Sequence, residues 1–150
     1  MRYIGVDPGA KFTGVAVLEV PSTFLYHAEF DDPTEVMLAI QRYAQPGDKV
    51  IVEAMLGGGG RDTYIVSTIE VVGYVYYSCI EIGIEVEKVP NQARLANVAN
   101  VPKTITGKDE VSAAAHALSA EERERKRGTA HNRKAQRRNG PSTTTDPRKM

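Results

Sequence analysis

Hydrophobic residues follow two rhythms along this chain, and the switches between them set the order of elements. Residues 4–6 and 15–17 are short, β-branched runs separated by a turn containing Pro8, Gly9, Ala10 and Lys11, a pattern that predicts a β-hairpin. Residues 24–30 (FLYHAEF) read as a third strand, with Pro21 and Ser22 before it and Asp31, Asp32 and Pro33 closing it. Three consecutive strands with tight connections make an antiparallel meander. His27 falls in mid-strand and reads as structural. Helical spacing takes over at residues 33–45, with Asp32 as N-cap and Pro33 at the first helical position. Val36, Leu38, Ile40 and Tyr43 supply its partly apolar face, and Pro46-Gly47-Asp48 stops it.

Residues 49–55 (KVIVEAM) form a compact apolar run, of the kind buried between helices in a parallel sheet. Residues 63–82 repeat Ile65, Ile69, Val72, Val75, Tyr76, Cys79 and Ile80 at helical spacing, so this long helix faces the core or a partner subunit. Gly73 suits close approach to a neighbour. A short strand at 85–89, a short helix at 91–98 and a loop at 100–108 follow. The last helix is predicted to start near Gly107 and to run at least to Leu118. The order βββ-α-β-α-β-α gives an α/β fold: a mixed sheet, with an antiparallel three-strand meander plus parallel strands, flanked by helices.

At 150 residues the chain has one domain's worth of core, and 41% hydrophobic with 25% charged residues is the balance of a soluble globular protein. No apolar run is long enough to cross a bilayer, and the N-terminus lacks a signal pattern. The single cysteine, Cys79, excludes an internal disulfide and fits a reducing cytoplasm; its apolar helical setting marks it as a core residue. Net charge is zero, yet it is unevenly spread. From residue 119 onward there are 10 Lys/Arg against 4 Asp/Glu, a net +6, leaving 9 against 15, a net −6, in the first 118 residues. An acidic body with a basic end suggests that this end meets a polyanion. The expected division is therefore a folded domain over residues 1–120 and, over 121–150, a charged helical extension passing into a disordered basic tail.

Three carboxylates stand out. Asp7 ends the first strand, where Gly9 removes side-chain bulk and leaves room for a phosphate or metal-bound substrate. Glu53 interrupts the most apolar strand and needs a partner there, because burying an unpaired charge costs several kcal/mol. Asp109 opens the last helix, sharing a face with Ser112 and His116 at about 100° per residue, while Glu110 points elsewhere. In a mixed sheet of this order the three places can converge at one edge. Carboxylates without a basic partner repel, and a divalent metal resolves the repulsion. Hard oxygen ligands on a partly open site select Mg²⁺ or Mn²⁺, and two such ions would activate water and stabilise the leaving oxygen of a phosphodiester. The four-glycine run at 57–60, lacking a GK[ST] ending, is not a nucleotide P-loop. It is expected to lie over a substrate, with Arg61 for phosphate contact and Tyr64 for base stacking.

The segments GVDPGAKFTGVAV, VIVEA and GKDEVSAAAHAL, in this order and spacing, resemble the RuvC-type Holliday junction resolvases of the RNase H-like superfamily, most of all the small phage-encoded members. The resemblance spans roughly residues 3–118 and implies an RNase H-like fold and a metal-dependent endonuclease resolving four-way or branched DNA junctions. It matches Asp7 and Glu53 to the family's strand-1 aspartate and strand-4 glutamate. The family's final helix carries two metal-site residues three apart; Asp109 and Ser112 stand there, so the fourth carboxylate is absent. His116, one turn further, then serves as a ligand or as a helper of the attacking water. Metal would lie on Asp7, Glu53, Asp109 and Ser112, and DNA phosphates on Lys11, Arg61, Lys108, Arg133, Lys134, Arg137 and Arg138. A homodimer formed along the 63–82 helix is implied, with no membrane association and no small-molecule cofactor. Two alternatives stay open: a non-catalytic nucleic-acid binder on this fold, and an ATP-binding domain of the actin and sugar-kinase type. The second needs two domains around its nucleotide, and 150 residues provide one.

Overall fold

The structure is a computed structural model, which describes residues 1–9, 11–54 and 63–140, the side chains of 63–67 excepted. Strands β1 (Arg2–Pro8), β2 (Thr13–Glu19) and β3 (Thr23–Phe30) lead into helix α1 (Pro33–Tyr43), followed by β4 (Lys49–Glu53), α2 (Thr63–Glu81), β5 (Glu85–Val89), a 3₁₀ helix (Asn91–Asn100) and α3 (Lys108–Arg138). The five strands form one sheet in the order β3-β2-β1-β4-β5. Pairing is antiparallel for β1–β2 and β2–β3 and parallel for β1–β4 and β4–β5. The α/β mixed sheet, its meander and its parallel strands are as the sequence predicts. Cys79 is a buried core residue, and burial pushes its thiol up to about 11. Among the described residues no helix is long and apolar enough to cross a membrane.

Strand alternation sorts the core into two layers. Ile4, Val6, Val15, Val17, Val50 and Val52 turn to one face of the sheet, where Val36 and Ile40 of α1 and Val75 and Cys79 of α2 cover them. Tyr3, Leu18 and Ile51 turn to the other face, against Ala117 and Ala120 of α3, and Ala16 meets Ala113 and Ala114 of the same helix. With residues this small, α3 lies almost on the strands. A Cβ on Gly5 would run into the backbone carbonyl of Ala113, and one on Gly14 into the backbone of Asp109. The glycines on β1 and β2 and the alanines on α3 are therefore two halves of one close contact.

The C-terminal region departs from expectation. Helix α3 continues without a break through Arg138, so Arg133, Lys134, Arg137 and Arg138 are helical and not part of a disordered tail. The reason is local: residues 121–138 are rich in Glu, Arg, Lys, Ala and Gln, which lose little on entering a helix. Ion pairs Glu122–Lys126 at 2.7 Å and Glu124–Arg127 at 3.2 Å add modest support. The absence of apolar periodicity argues against packing; it does not forbid a helix.

Candidate active site

Asp7 and Glu53 are brought together by register. Val6 pairs with Val52 in the parallel β1–β4 ladder, so the next residues end adjacent strands side by side. Both belong to the alternation that faces α3. The two carboxyl groups share a hydrogen bond. Ser112 of α3 also bonds to Asp7, and its Oγ donates to Glu53 Oε2 at 3.4 Å. His116 Nε2 lies 2.7 Å from the same Glu53 oxygen. The His116 ring is fully buried, and its Nδ1 has no partner among the described residues. The arrangement fits a proton on Nε2, donated to the Glu53 carboxylate. The ring presents no surface to solvent. The residue expected as a ligand or as a helper of the attacking water is here hydrogen-bonded to Glu53 from the buried side.

Asp109 stands beside this cluster. A Cβ on Gly9 would come within 2.6 Å of Asp109 Oδ1. Gly9 thus makes room for a carboxylate of the protein, where the sequence suggested room for substrate. Glu110 points away, as expected, and meets His27 Nδ1 on β3 at 3.2 Å. The start of α3 has no side-chain cap of its own at Gly107. Glu29 of β3 supplies one, accepting from the Asp109 backbone N–H at 3.0 Å and the Glu110 N–H at 3.4 Å. This capping acid is invisible in the sequence because it lies 80 residues from the helix it caps.

The electrostatics follow from this crowding. Burial, then the charges of Glu53 and Asp109, push Asp7 up to about 7, with the Ser112 hydrogen bond opposing. Burial also pushes Glu53 up, but the hydrogen bond and charge of His116, the hydrogen bond from Asp7 and the nearby Arg94 outweigh it, leaving its carboxyl below the usual value. The pair thus splits: Glu53 ionised, Asp7 holding a proton near neutrality. Asp109 is raised by burial and by Glu29 and Glu53, against Lys108. Arg94, on the 3₁₀ helix after β5, is the cation that the sequence did not single out. Only the fold carries that helix to the end of the sheet where β4 and β5 finish.

Among the described residues no three His, Cys, Asp or Glu side chains form a ready metal-binding group. What the structure assembles is a carboxyl pair with a third carboxylate close enough to repel both. That donor set fits a hard dication: a cation among these oxygens would relieve the repulsion, and Mg²⁺ is commonly held by one or two carboxylates with water completing its shell. A separate open cleft of about 410 Å³ lies between the Gly9 turn, the start of α1 and α2, lined by Lys11, Thr13, Asp31, Glu70 and Tyr74 and by none of the three carboxylates. Lys108 is exposed at the start of α3. Arg61, the glycine run and the side chain of Tyr64 lie outside the described residues.

No protein-family model and no curated protein sequence matches the chain. Solved structures do. The RuvC of T. thermophilus in complex with a Holliday junction substrate superposes with a TM-score of 0.66 at 16% identity, over 83% of this chain and 96% of that one. The structure described as Thermus thermophilus RuvC gives 0.62 at 17% identity, over 84% and 97%. At such identity the likeness is one of backbone architecture. The chain has the RuvC-like fold, a mixed five-stranded α/β sheet with a helix laid across the two carboxylates that end its central strands.

Proposed function

We propose that this protein is a metal-dependent, structure-selective endodeoxyribonuclease that hydrolyses phosphodiesters in four-way or branched DNA junctions. The observation that carries the reading is the Asp7–Glu53 pair, brought into contact on adjacent strand ends and strained by its own charge. The likeness to a RuvC solved with a Holliday junction supports the substrate class. Asp7, Glu53 and Asp109 would hold Mg²⁺ or Mn²⁺, whose chemistry is to activate water and stabilise the leaving oxygen. Ser112 contributes hydrogen bonds to the two carboxylates in place of a fourth negative charge, so a second ion has fewer ligands than the first. His116 holds Glu53 in one rotamer and keeps water from its far side. Arg94 and Lys108 bring to the site the positive charge that a phosphodiester requires, and Lys11 and the Tyr74 ring line the cleft between the Gly9 turn and α2.

Cutting two strands symmetrically calls for two copies. Ile69, Gly73, Tyr77 and Ile80 recur on one face of α2; the three large side chains are 56%, 71% and 52% exposed, and nothing stands near Gly73. An exposed apolar stripe with a gap that admits a neighbouring helix is the surface we assign to a homodimer. A second reading, junction binding without cleavage, is favoured by Ser112 alone. The deciding experiment incubates a labelled four-way junction and a linear duplex with Mg²⁺, Mn²⁺ or EDTA, with Asp7→Asn as control. Metal-dependent paired nicking of the junction, absent from Asp7→Asn, is the expected outcome. Tight junction binding with no cut in either metal would overturn the enzymatic reading in favour of the second.

A further inference from the structure

Helix α3 does two things in succession. Its first three turns cover the sheet, and Ala120 is its last buried residue. Glu124 then bonds Lys49 Nζ at 3.1 Å, at the start of β4 and so at the opposite end of that strand from Glu53. From Arg125 to Arg138 every residue is exposed. This stretch of 14 residues carries seven Lys/Arg and no Asp or Glu.

The charges are not spread evenly around it. At 100° per residue, Lys126, Arg127, Arg133, Lys134, Arg137 and Arg138 fall within a sector about 140° wide, and only Arg125 lies outside. Lys126 and Arg127 already have acidic neighbours one turn back. Arg133, Lys134, Arg137 and Arg138 have no ion pair among the described residues. At 1.5 Å per residue the stripe runs about 18 Å along the helix, and Arg133 stands about 36 Å along it from Asp109.

The geometry points to a second nucleic-acid-binding surface: the stripe is a backbone-gripping arm for duplex DNA, separate from the carboxylate site and at the other end of the sheet. A free helix is convex and fits the major groove of B-form DNA. Single-stranded nucleic acid is usually held in a basic groove with stacking aromatics, and residues 125–138 contain no Phe, Tyr or Trp. An anionic membrane calls for an opposite apolar face, and the only apolar side chains of the stretch are Ala130 and Ala135. Contacts made to phosphates alone carry no sequence preference. One chain would thus hold two stretches of DNA at once, and this function stands whether or not the carboxylate site cuts.

The test is the salt dependence of binding to a short linear duplex by the full chain. Replacing Arg133, Lys134, Arg137 and Arg138 together by Ala keeps helix propensity. It is expected to reduce the slope of log K against log salt by up to about 3.6, since each phosphate left unneutralised lowers that slope by about 0.9. Asp7→Asn is expected to leave the slope unchanged, so the fate of this surface is read apart from that of the nuclease site. A charge-matched variant scatters the cations around the helix: Lys134→Gln and Arg137→Gln with Asn132→Lys and Ala135→Arg. It is expected to lose about half of the effect. An unchanged slope in the tetra-alanine variant overturns the proposal, and full binding by the scattered variant overturns the one-sided stripe. Loss of binding to phosphatidylserine vesicles, with duplex binding intact, would assign the surface to membranes instead.

Discussion

Asp7 shows how far a single residue can be held from its preferred state. An ordinary aspartate loses its proton near 3.8, whereas burial and two neighbouring carboxylates keep this one protonated to about 7. In metal-free protein the folded state therefore binds a proton that the unfolded chain releases. The contribution of Asp7 to stability is most favourable below about pH 4, is lost as pH rises towards about 7, and stays lost above it. Asp7→Asn removes the charge and keeps the shape. The variant is expected to be more stable than the metal-free parent above about pH 7, by roughly 2 kcal/mol, with the difference closing below about pH 4. Added Mg²⁺ should raise the parent's melting temperature and leave that of Asp7→Asn unmoved. Thermal melts across pH, with and without metal, measure both; a variant less stable than its parent at alkaline pH would mean that the carboxylates do not repel. His116 and Ser112 belong to the same balance. They meet a carboxylate with donors from the buried side, and so leave its open side free.

At the scale of elements, the contact that positions the site is α3 against β1 and β2. Helices usually stand off a sheet by the length of their side chains. Here Gly5 and Gly14 face Ala113 and Asp109 with no side chain between backbones. The helix N-terminus, capped by Glu29 from β3, is thereby pinned over the ends of β1 and β4. Gly14→Ala would press a methyl group into the backbone of Asp109, which cannot rotate aside as a side chain would. A loss of about 1–3 kcal/mol is expected from overpacking. Activity should fall further than stability explains, because Asp109 moves with its helix. Comparing the melting temperature with the cleavage rate under conditions where the variant stays folded separates the two effects. The long reach of α3 beyond Ala120 shows the converse. Where nothing packs on a helix, propensity and charge pairing alone shape it, and its outer turns carry only charge.

For the whole molecule, the sheet separates two ends. The carboxylates lie at the end where β1 and β4 finish, and the cationic part of α3 leaves near Lys49, where β4 begins. Helix α2 lies on the face of the sheet opposite α3, so a dimer through its exposed stripe would leave α3 of both copies uncovered. Tyr77→Glu with Ile80→Glu places two charges on that stripe without touching the buried Val72, Val75 or Cys79. Sedimentation is expected to show monomers of unchanged fold, and paired cutting should give way to single nicks. A dimer that survives both charges would place the interface elsewhere.

Local pattern was enough to set the order of elements, the sheet that they build and the strand ends on which Asp7 and Glu53 stand. β-Branched alternation, turn residues, helical spacing and an acid set in an otherwise apolar strand are all legible residue by residue. Pattern also separated Asp109 from Glu110, since helix geometry fixes which of two adjacent residues shares a face with Ser112. What those groups touch came only with the fold. Gly9 faces Asp109, Glu29 caps α3, Arg94 reaches the field of Glu53, and His116 turns to Glu53 and away from water. Each joins segments far apart in the chain, and no periodicity along the sequence encodes which backbone a glycine will meet. The same limit explains the helical extension. Lack of an apolar face signals only that nothing packs there, and whether such a segment coils or stays helical is settled by small, additive terms.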